Sequence, residues 1–156
     1  MSVLDGWRLC PRCGSELERG DGRVHCDACG FVAYANAAPT ACALCLDADG
    51  RLLLGRRANE PYQGRWDIPG GFVEEDEHPL DSLRRELREE TGLVVEPEEF
   101  VGAWLDRYGP GDRDRVTLNL YWTAHVVSGE AHNFEDLPSL LDYLRAMMAS
   151  GQDKQG

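Results

Sequence analysis

Residues 78–93, HPLDSLRRELREETGL, carry two helical repeats at once, and together they restrict the fold more than any other stretch of the chain. Leu80, Leu83 and Leu87 fall on one stripe, which predicts an amphipathic helix that packs on a sheet. Glu86, Glu89 and Glu90 stand at i, i+3 and i+4, so they share another face about a quarter-turn away. Pro79 suits the first helical position, Asp81 puts negative charge in the first turn, and Gly92 suits a left-handed C-terminal cap. Like charges at these spacings destabilise a helix by about 0.2–0.5 kcal/mol per pair. At ~4 Å and an effective dielectric near 20 the cost rises to about 4 kcal/mol per pair. A divalent cation removes that cost. Clustered carboxylates without Cys or His among them suit hard Mg²⁺ or Mn²⁺. A solvated acidic face is the plainer alternative for a charge run.

The residues before the helix extend the pattern. Gly70-Gly71 lets the backbone come close to a metal or phosphate, and Arg85 lies one turn before Glu89, placed to orient it. Gly71, five residues, Glu77, seven residues, then Arg85-Glu86-Leu87-Arg88-Glu89-Glu90-Thr91-Gly92-Leu93 resembles the signature of the Nudix hydrolases at every fixed position. The resemblance implies an α+β fold, a Nudix-type α/β/α sandwich with a mixed sheet. It implies metal-dependent hydrolysis of the diphosphate linkage in a nucleoside diphosphate joined to another group. On that resemblance Glu86, Glu89 and Glu90 bind Mg²⁺ or Mn²⁺, with the Gly71 carbonyl as a further ligand, while Arg85 and Glu77 position the glutamates. Glu89 or Glu90 takes the proton of the attacking water, and the sequence does not choose between them.

Six cysteines divide into two kinds. Cys10-Pro-Arg-Cys13-Gly and Cys26-Asp-Ala-Cys29-Gly are two knuckles separated by residues 14–25. Two such knuckles predict a four-thiolate zinc ribbon over residues 7–31, with iron as a minor alternative. Two disulfides are the competing reading, and an intracellular setting argues against them. So short a segment holds little core, so the metal is expected to supply its folding energy. Cys42-Ala-Leu-Cys45 has the same spacing but lies in an apolar run read as a strand, where i and i+3 point to opposite faces. Both are read as buried apolar residues, and His25 as a surface histidine.

Net charge is −12, and residues 74–99 hold eleven acids against three arginines. That field argues against binding a polyanionic backbone, and the ribbon, with Arg8, Arg12, Arg19 and Arg23 balanced by nearby acids, adds no basic stripe. Nucleic acid is therefore not an expected partner; the resemblance implies a small nucleotide as substrate. No run nears the ~18 apolar residues of a membrane span. The start, MSVLDGWRLC, lacks a basic region followed by a long apolar stretch, so a cytoplasmic protein is expected.

The Nudix domain is expected over residues 38–149. Residues 31–39 read as an extended linker, 51–57 as a strand after an Asp47–Gly50 turn, and 94–95, 100–108 and 116–127 as strands. Leu137, Leu140, Leu141, Leu144 and the Met147/Met148 pair predict a closing amphipathic helix. Only residues 128–136 separate that helix from the preceding strand, so the C-terminal part reads as shortened against the family, and a homodimer is one way to cover the sheet edge this leaves. A ribbon ahead of a Nudix domain is similar to NADH pyrophosphatases and some ADP-ribose or flavin-dinucleotide hydrolases. The serine-glutamine-proline-tryptophan motif of the NADH-specific members is absent. The substrate order expected is therefore ADP-ribose or a similar compound first, then FAD or a diadenosine polyphosphate, then a (deoxy)nucleoside triphosphate. A catalytically weak nucleotide-binding or regulatory module of the same fold is the alternative outside enzymology.

Overall fold

The computed structural model describes residues 2–109, 115–130 and 134–135. The closing helix expected over 137–148 lies outside the described residues, as does most of the polar turn after Tyr108. The described residues form two compact units, one of residues 2–37 with 107–109 and 115–116, the other of residues 38–106 with 117–130 and 134–135.

In the first unit, β1 (Glu18–Gly20), β2 (Arg23–His25) and β3 (Val32–Tyr34) form an antiparallel sheet in that order. An Asp21-Gly22 pair, with Gly22 at φ 67°, turns β1 into β2. Val24 is almost fully buried on one face. Residues 31–39, expected as a linker, instead contribute β3, because β2 would otherwise leave its second edge unpaired. Leu4, Cys10, Val24 and Cys26 are the buried apolar residues of residues 1–37. At about 25 cal/mol per Å² so few side chains offset only a small part of the chain entropy lost on ordering.

The second unit is built on a four-stranded sheet in the order β8 (Gly70–Phe72), β4 (Ala38–Cys45), β10 (Arg115–Ser128), β9 (Val94–Tyr108). β4 runs parallel to β10 and antiparallel to β8, so the sheet is mixed. Alternation along β4 divides the interior. Ala41, Ala43 and Cys45 face α1 (Pro79–Thr91) and pack with its Leu83 and Leu87 and with Leu53, Leu93, Val95 and Ala124. Small residues on β4 let the helix come close. Cys42 and Leu44 face the other way, against Leu52, Ile68 and Tyr121. Cys42 and Cys45 therefore point to opposite faces, as strand geometry requires. Cys45 is fully buried, whereas Cys42 is only partly so by exposed area. Burial pushes the Cys45 thiol up to about 11 and that of Cys42 up to about 12.

The strand expected over 51–57 is interrupted at Leu54 into β5 (Leu52–Leu53) and β6 (Gly55–Arg56). β6 pairs with β7 (Trp66–Asp67), and β5 pairs with β11 (Phe134–Glu135), inside the interval expected to be short. β9 runs unbroken through Pro97, where a gap was expected. At the end of the strand order, the residue without an N–H costs no ladder bond on the outer side. No helix among the described residues is long and apolar enough to cross a membrane.

Candidate functional site

The acidic segment before α1 ends at His78, whose Nδ1 accepts from the Leu80 amide at 3.2 Å and caps the helix. Pro79 follows at the first position, and Gly92 closes the other end in the left-handed conformation, φ 74°. The start and stop signals in the sequence are therefore used as expected; the cap itself, a histidine rather than Ser or Asp, carried no such signal.

Arg85 is the hub of the carboxylate face. Its Nε and Nη2 donate to the two oxygens of Glu77 at 2.8 and 2.9 Å, a bidentate pair. Nη1 donates to Glu86 Oε1 at 2.8 Å and, less closely, to Glu89 Oε2 at 3.4 Å. Nη2 also reaches the Phe72 carbonyl and the hydroxyl of Ser82, which itself donates to Phe72 O. One guanidinium thus joins the loop before the helix, the end of β8 and two glutamates. The Arg85 side chain and the Glu74 amide hold the Glu77 carboxyl down at about 2, against an ordinary 4.5. The same pairing raises the already high Arg85 pKa. Ser82 is wholly buried between Asp81 and Leu83, and no sequence signal marked it.

The two glycines before the helix fit the carboxylates by close approach. A Cβ on Gly71 would lie inside the Glu86 carboxylate, and one on Gly70 inside the backbone of Ala41 and Cys42 on β4. The Gly70 amide donates to Glu90 Oε2 at 3.3 Å. Burial raises the Glu90 pKa, against that backbone hydrogen bond, and the charges of Glu86 and Asp67 add to the rise while Arg57 opposes it. Asp67 on β7 is itself bonded to Arg57 Nη1 at 2.8 Å. Asp67 and Arg57 thus join the electrostatics of Glu90, a contribution the box pattern alone did not mark.

The structure brings Glu77, Arg85, Glu86 and Glu89 into one network and Gly71 and Glu90 to its edge. It does not draw the three glutamates as tight as the cysteines. Among the described residues, Cys10, Cys13, Cys26 and Cys29 form the group of potential metal ligands whose atoms all lie within 4.8 Å of one another. The donor chemistry fits a divalent cation at the glutamates: hard oxygen ligands, a glycine leaving room beside Glu86, and an arginine already offsetting their charge.

The two knuckles repeat each other bond for bond. Cys10 N donates to Ser15 O and Gly14 N to Cys10 O, at 2.7 and 2.9 Å. Cys26 N donates to Phe31 O and Gly30 N to Cys26 O, both at 2.8 Å. Gly14 and Gly30, the residues after each second cysteine, adopt φ 76° and 72°. Sulfur–sulfur distances are 3.6 Å for Cys10–Cys29 and 3.5 Å for Cys13–Cys26. Four thiolates at 2.3 Å from a tetrahedral zinc lie about 3.8 Å apart, so the cluster fits zinc with a small expansion. Hydrogen bonds from the Ser15 side chain and backbone hold the Cys13 thiol down at about 6, favouring the thiolate. His25 is not among these four ligands, and its Nε2 lies 3.3 Å from Asp27 Oδ1.

The Nudix domain model matches residues 36–142. The chain belongs to the Nudix hydrolase family. It is 32% identical over 93 residues to an ADP-ribose pyrophosphatase of Methanocaldococcus jannaschii, covering 58% of this chain and 53% of that protein. It is 30% identical over 98 residues to the NAD-capped RNA hydrolase NudC of Stutzerimonas stutzeri, covering 62% and 35%. Among solved structures, a Nudix hydrolase from Nitrosomonas europaea superimposes with a TM-score of 0.61 at 26% identity, covering 83% of this chain and 74% of that one. The chain thus spans about half, or less, of the length of these curated relatives. Family, mixed sheet and box helix agree with the reading of the sequence.

Proposed function

We propose that this Nudix protein hydrolyses the diphosphate bridge of a nucleoside diphosphate linked to a second group, with an ADP-ribose-like compound as the first choice and a dinucleotide such as FAD or a diadenosine polyphosphate next. The observation that carries this reading is the glutamate array gathered by Arg85 beside the Gly70-Gly71 backbone. Two relatives support the substrate class, since ADP-ribose and an NAD cap both contain two nucleoside or sugar halves joined through a diphosphate.

Glu86, Glu89 and Glu90, with the Gly71 carbonyl, would hold Mg²⁺ or Mn²⁺. When bound, such a cation neutralises the diphosphate and lowers the pKa of a coordinated water. Arg85 and Glu77 fix the glutamate rotamers, so the carboxylates meet the substrate already oriented. Glu89 or Glu90 accepts the water proton on a carboxylate oxygen as the water oxygen bonds to phosphorus. The bridging P–O bond breaks, and its electron pair leaves on the departing phosphate, giving a nucleoside monophosphate and a phosphorylated second group. We further assign a structural zinc to Cys10, Cys13, Cys26 and Cys29, where elemental analysis of protein purified without chelator should find about one zinc per chain.

A panel of kcat/KM values with Mg²⁺ tests the substrate class. It should cover ADP-ribose, NADH, FAD, diadenosine compounds and nucleoside triphosphates. The diphosphate-bridged compounds should lead. A clear preference for triphosphates overturns the substrate order, and ligand-dependent thermal shifts without product make the protein a binding module.

A further inference from the structure

β9 ends the strand order of the four-stranded sheet, and among the described strands it has no partner on its outer side. A long edge strand exposes a row of unpaired N–H and C=O groups, and proteins usually shorten, charge or cover it. β9 is 15 residues long, and its middle reads Phe100-Val101-Gly102-Ala103-Trp104-Leu105, six residues without a charge. Residues at both faces of this stretch reach solvent. Phe100, Val101, Trp104 and Leu105 are 56, 47, 40 and 67% exposed. Phe100 and Trp104 are nevertheless held in place, Phe100 by Trp122 with ring centroids 5.2 Å apart and Trp104 by an edge contact with Tyr121 at 5.5 Å. The apolar surface is thus preorganised, which lowers the entropy lost in binding.

The segment is also self-complementary in size. Read from either end it runs large, large, small, small, large, large. Two copies aligned antiparallel about the Gly102–Ala103 bond would set Phe100 opposite Leu105, Val101 opposite Trp104, and the small pair at the centre. That is the pattern an isologous two-fold contact needs, because each residue meets the counterpart of its own partner. The four large side chains leave roughly 400 Å² in water per copy, from typical aromatic burials. Edge-to-edge pairing covers the flanks of these side chains and the facing backbone, an interface in the small, weak class below about 1,200 Å².

We infer that the outer edge of β9 is a homodimer interface, in which Phe100–Leu105 of two copies pair antiparallel and join their sheets. Glu99 would face Asp106 across this register, and each chain carries net charge −12. Association is therefore modest at low ionic strength and strengthens with salt, as screening lowers the repulsion.

Sedimentation equilibrium of the full zinc-loaded chain, from 1 to 300 μM and at low and high salt, tests this, combined with hydrogen exchange at both ends of that range. The chain, 17.4 kDa, should approach twice its mass at high concentration. Dissociation should fall in the micromolar range and tighten with salt. Amides of residues 98–106 should exchange at least tenfold more slowly at the high concentration. The V101K/L105K variant should bind its partner at least tenfold more weakly while keeping its zinc and its circular dichroism. A monomer at 300 μM overturns the inference. So does a dimer whose β9 amides show no concentration dependence, which uses another surface, or a monomer with β9 protected at every concentration, whose edge is covered by the chain itself. If the lysine variant loses its fold, the concentration dependence of exchange in the unaltered protein decides alone.

Discussion

The cysteine ribbon and the glutamate helix gather candidate metal ligands on opposite principles. In the ribbon two knuckles and a small three-stranded sheet carry the cysteines; few side chains are buried, and the four sulfurs already lie within 4.8 Å of one another. In the glutamate site a packed helix, with Leu83 and Leu87 fully buried, holds the carboxylates, and an arginine rather than proximity organises them. Soft thiolates can approach closely because protonation or a bound metal relieves their charge. Hard carboxylates stay ionised and keep apart until a cation joins them. One site should therefore support folding, and the other should depend on a fold that already exists.

The widest separation between the two is expected on removing metal. Replacing Cys26 with Ala should abolish zinc binding and unfold residues 1–37, since apparent zinc energies in such modules reach about 10–16 kcal/mol. Spectra of isotope-labelled protein would show ribbon resonances collapsing while those of α1 persist. Exchange into Mg²⁺-free buffer without chelator, which leaves thiolate-bound zinc in place, should leave both units folded. A ribbon that stays folded without zinc breaks the contrast.

The next effect concerns Arg85. Its loss removes the link among Glu77, Glu86 and Glu89. Arg85→Ala should lower kcat/KM by about 10–100-fold, as for other groups that orient metal ligands. It should also raise the Mg²⁺ concentration needed for half-maximal rate. Arg85→Lys should recover little, since a single ammonium cannot reproduce the bidentate pair with Glu77. Equal Mg²⁺ requirements in all three proteins would assign Arg85 a role in packing alone.

These two sites were also the parts most legible in the sequence, for a physical reason. Both are local: a helix of 13 residues and two knuckles of four, in which spacing along the chain is spacing in space. The family resemblance implied that Glu77 and Arg85 position the glutamates; their direct bidentate contact emerged only from the structure. What else spacing did not reveal was long-range. β3 and the early start of β4 depend on edges elsewhere needing partners, and Asp67 and Arg57 reach Glu90 only because β7 leads into Gly70. The unbroken course of β9 through Pro97 likewise follows from its place at the end of the sheet, which periodicity does not report.

A smaller effect separates the sites by pH. Glu77 is held at about 2, against 4.5 ordinarily, so its contribution to stability is fully present above pH 4.5 and is lost as pH falls towards 2. Thermal melts of the wild type and Glu77→Gln should differ most near pH 7, and the gap should close on acidification through that window. A gap that widens with acid would reverse the sign. Smallest of all, Cys42 and Cys45, raised to about 12 and about 11, should resist thiol reagents at pH 8 in zinc-loaded protein. Mass spectrometry after alkylation would find them unmodified until the chain is denatured, and rapid labelling of either would show that its thiol is not held up as described.

The most direct test of the central claim is the turnover of Glu89→Gln and Glu90→Gln with ADP-ribose and saturating Mg²⁺, each checked for zinc content and an unchanged melting profile. If the carboxylate face is the catalytic centre, kcat falls by orders of magnitude in at least one variant while the fold and the zinc are retained. Wild-type turnover in both variants would contradict it and move the chemistry away from this helix.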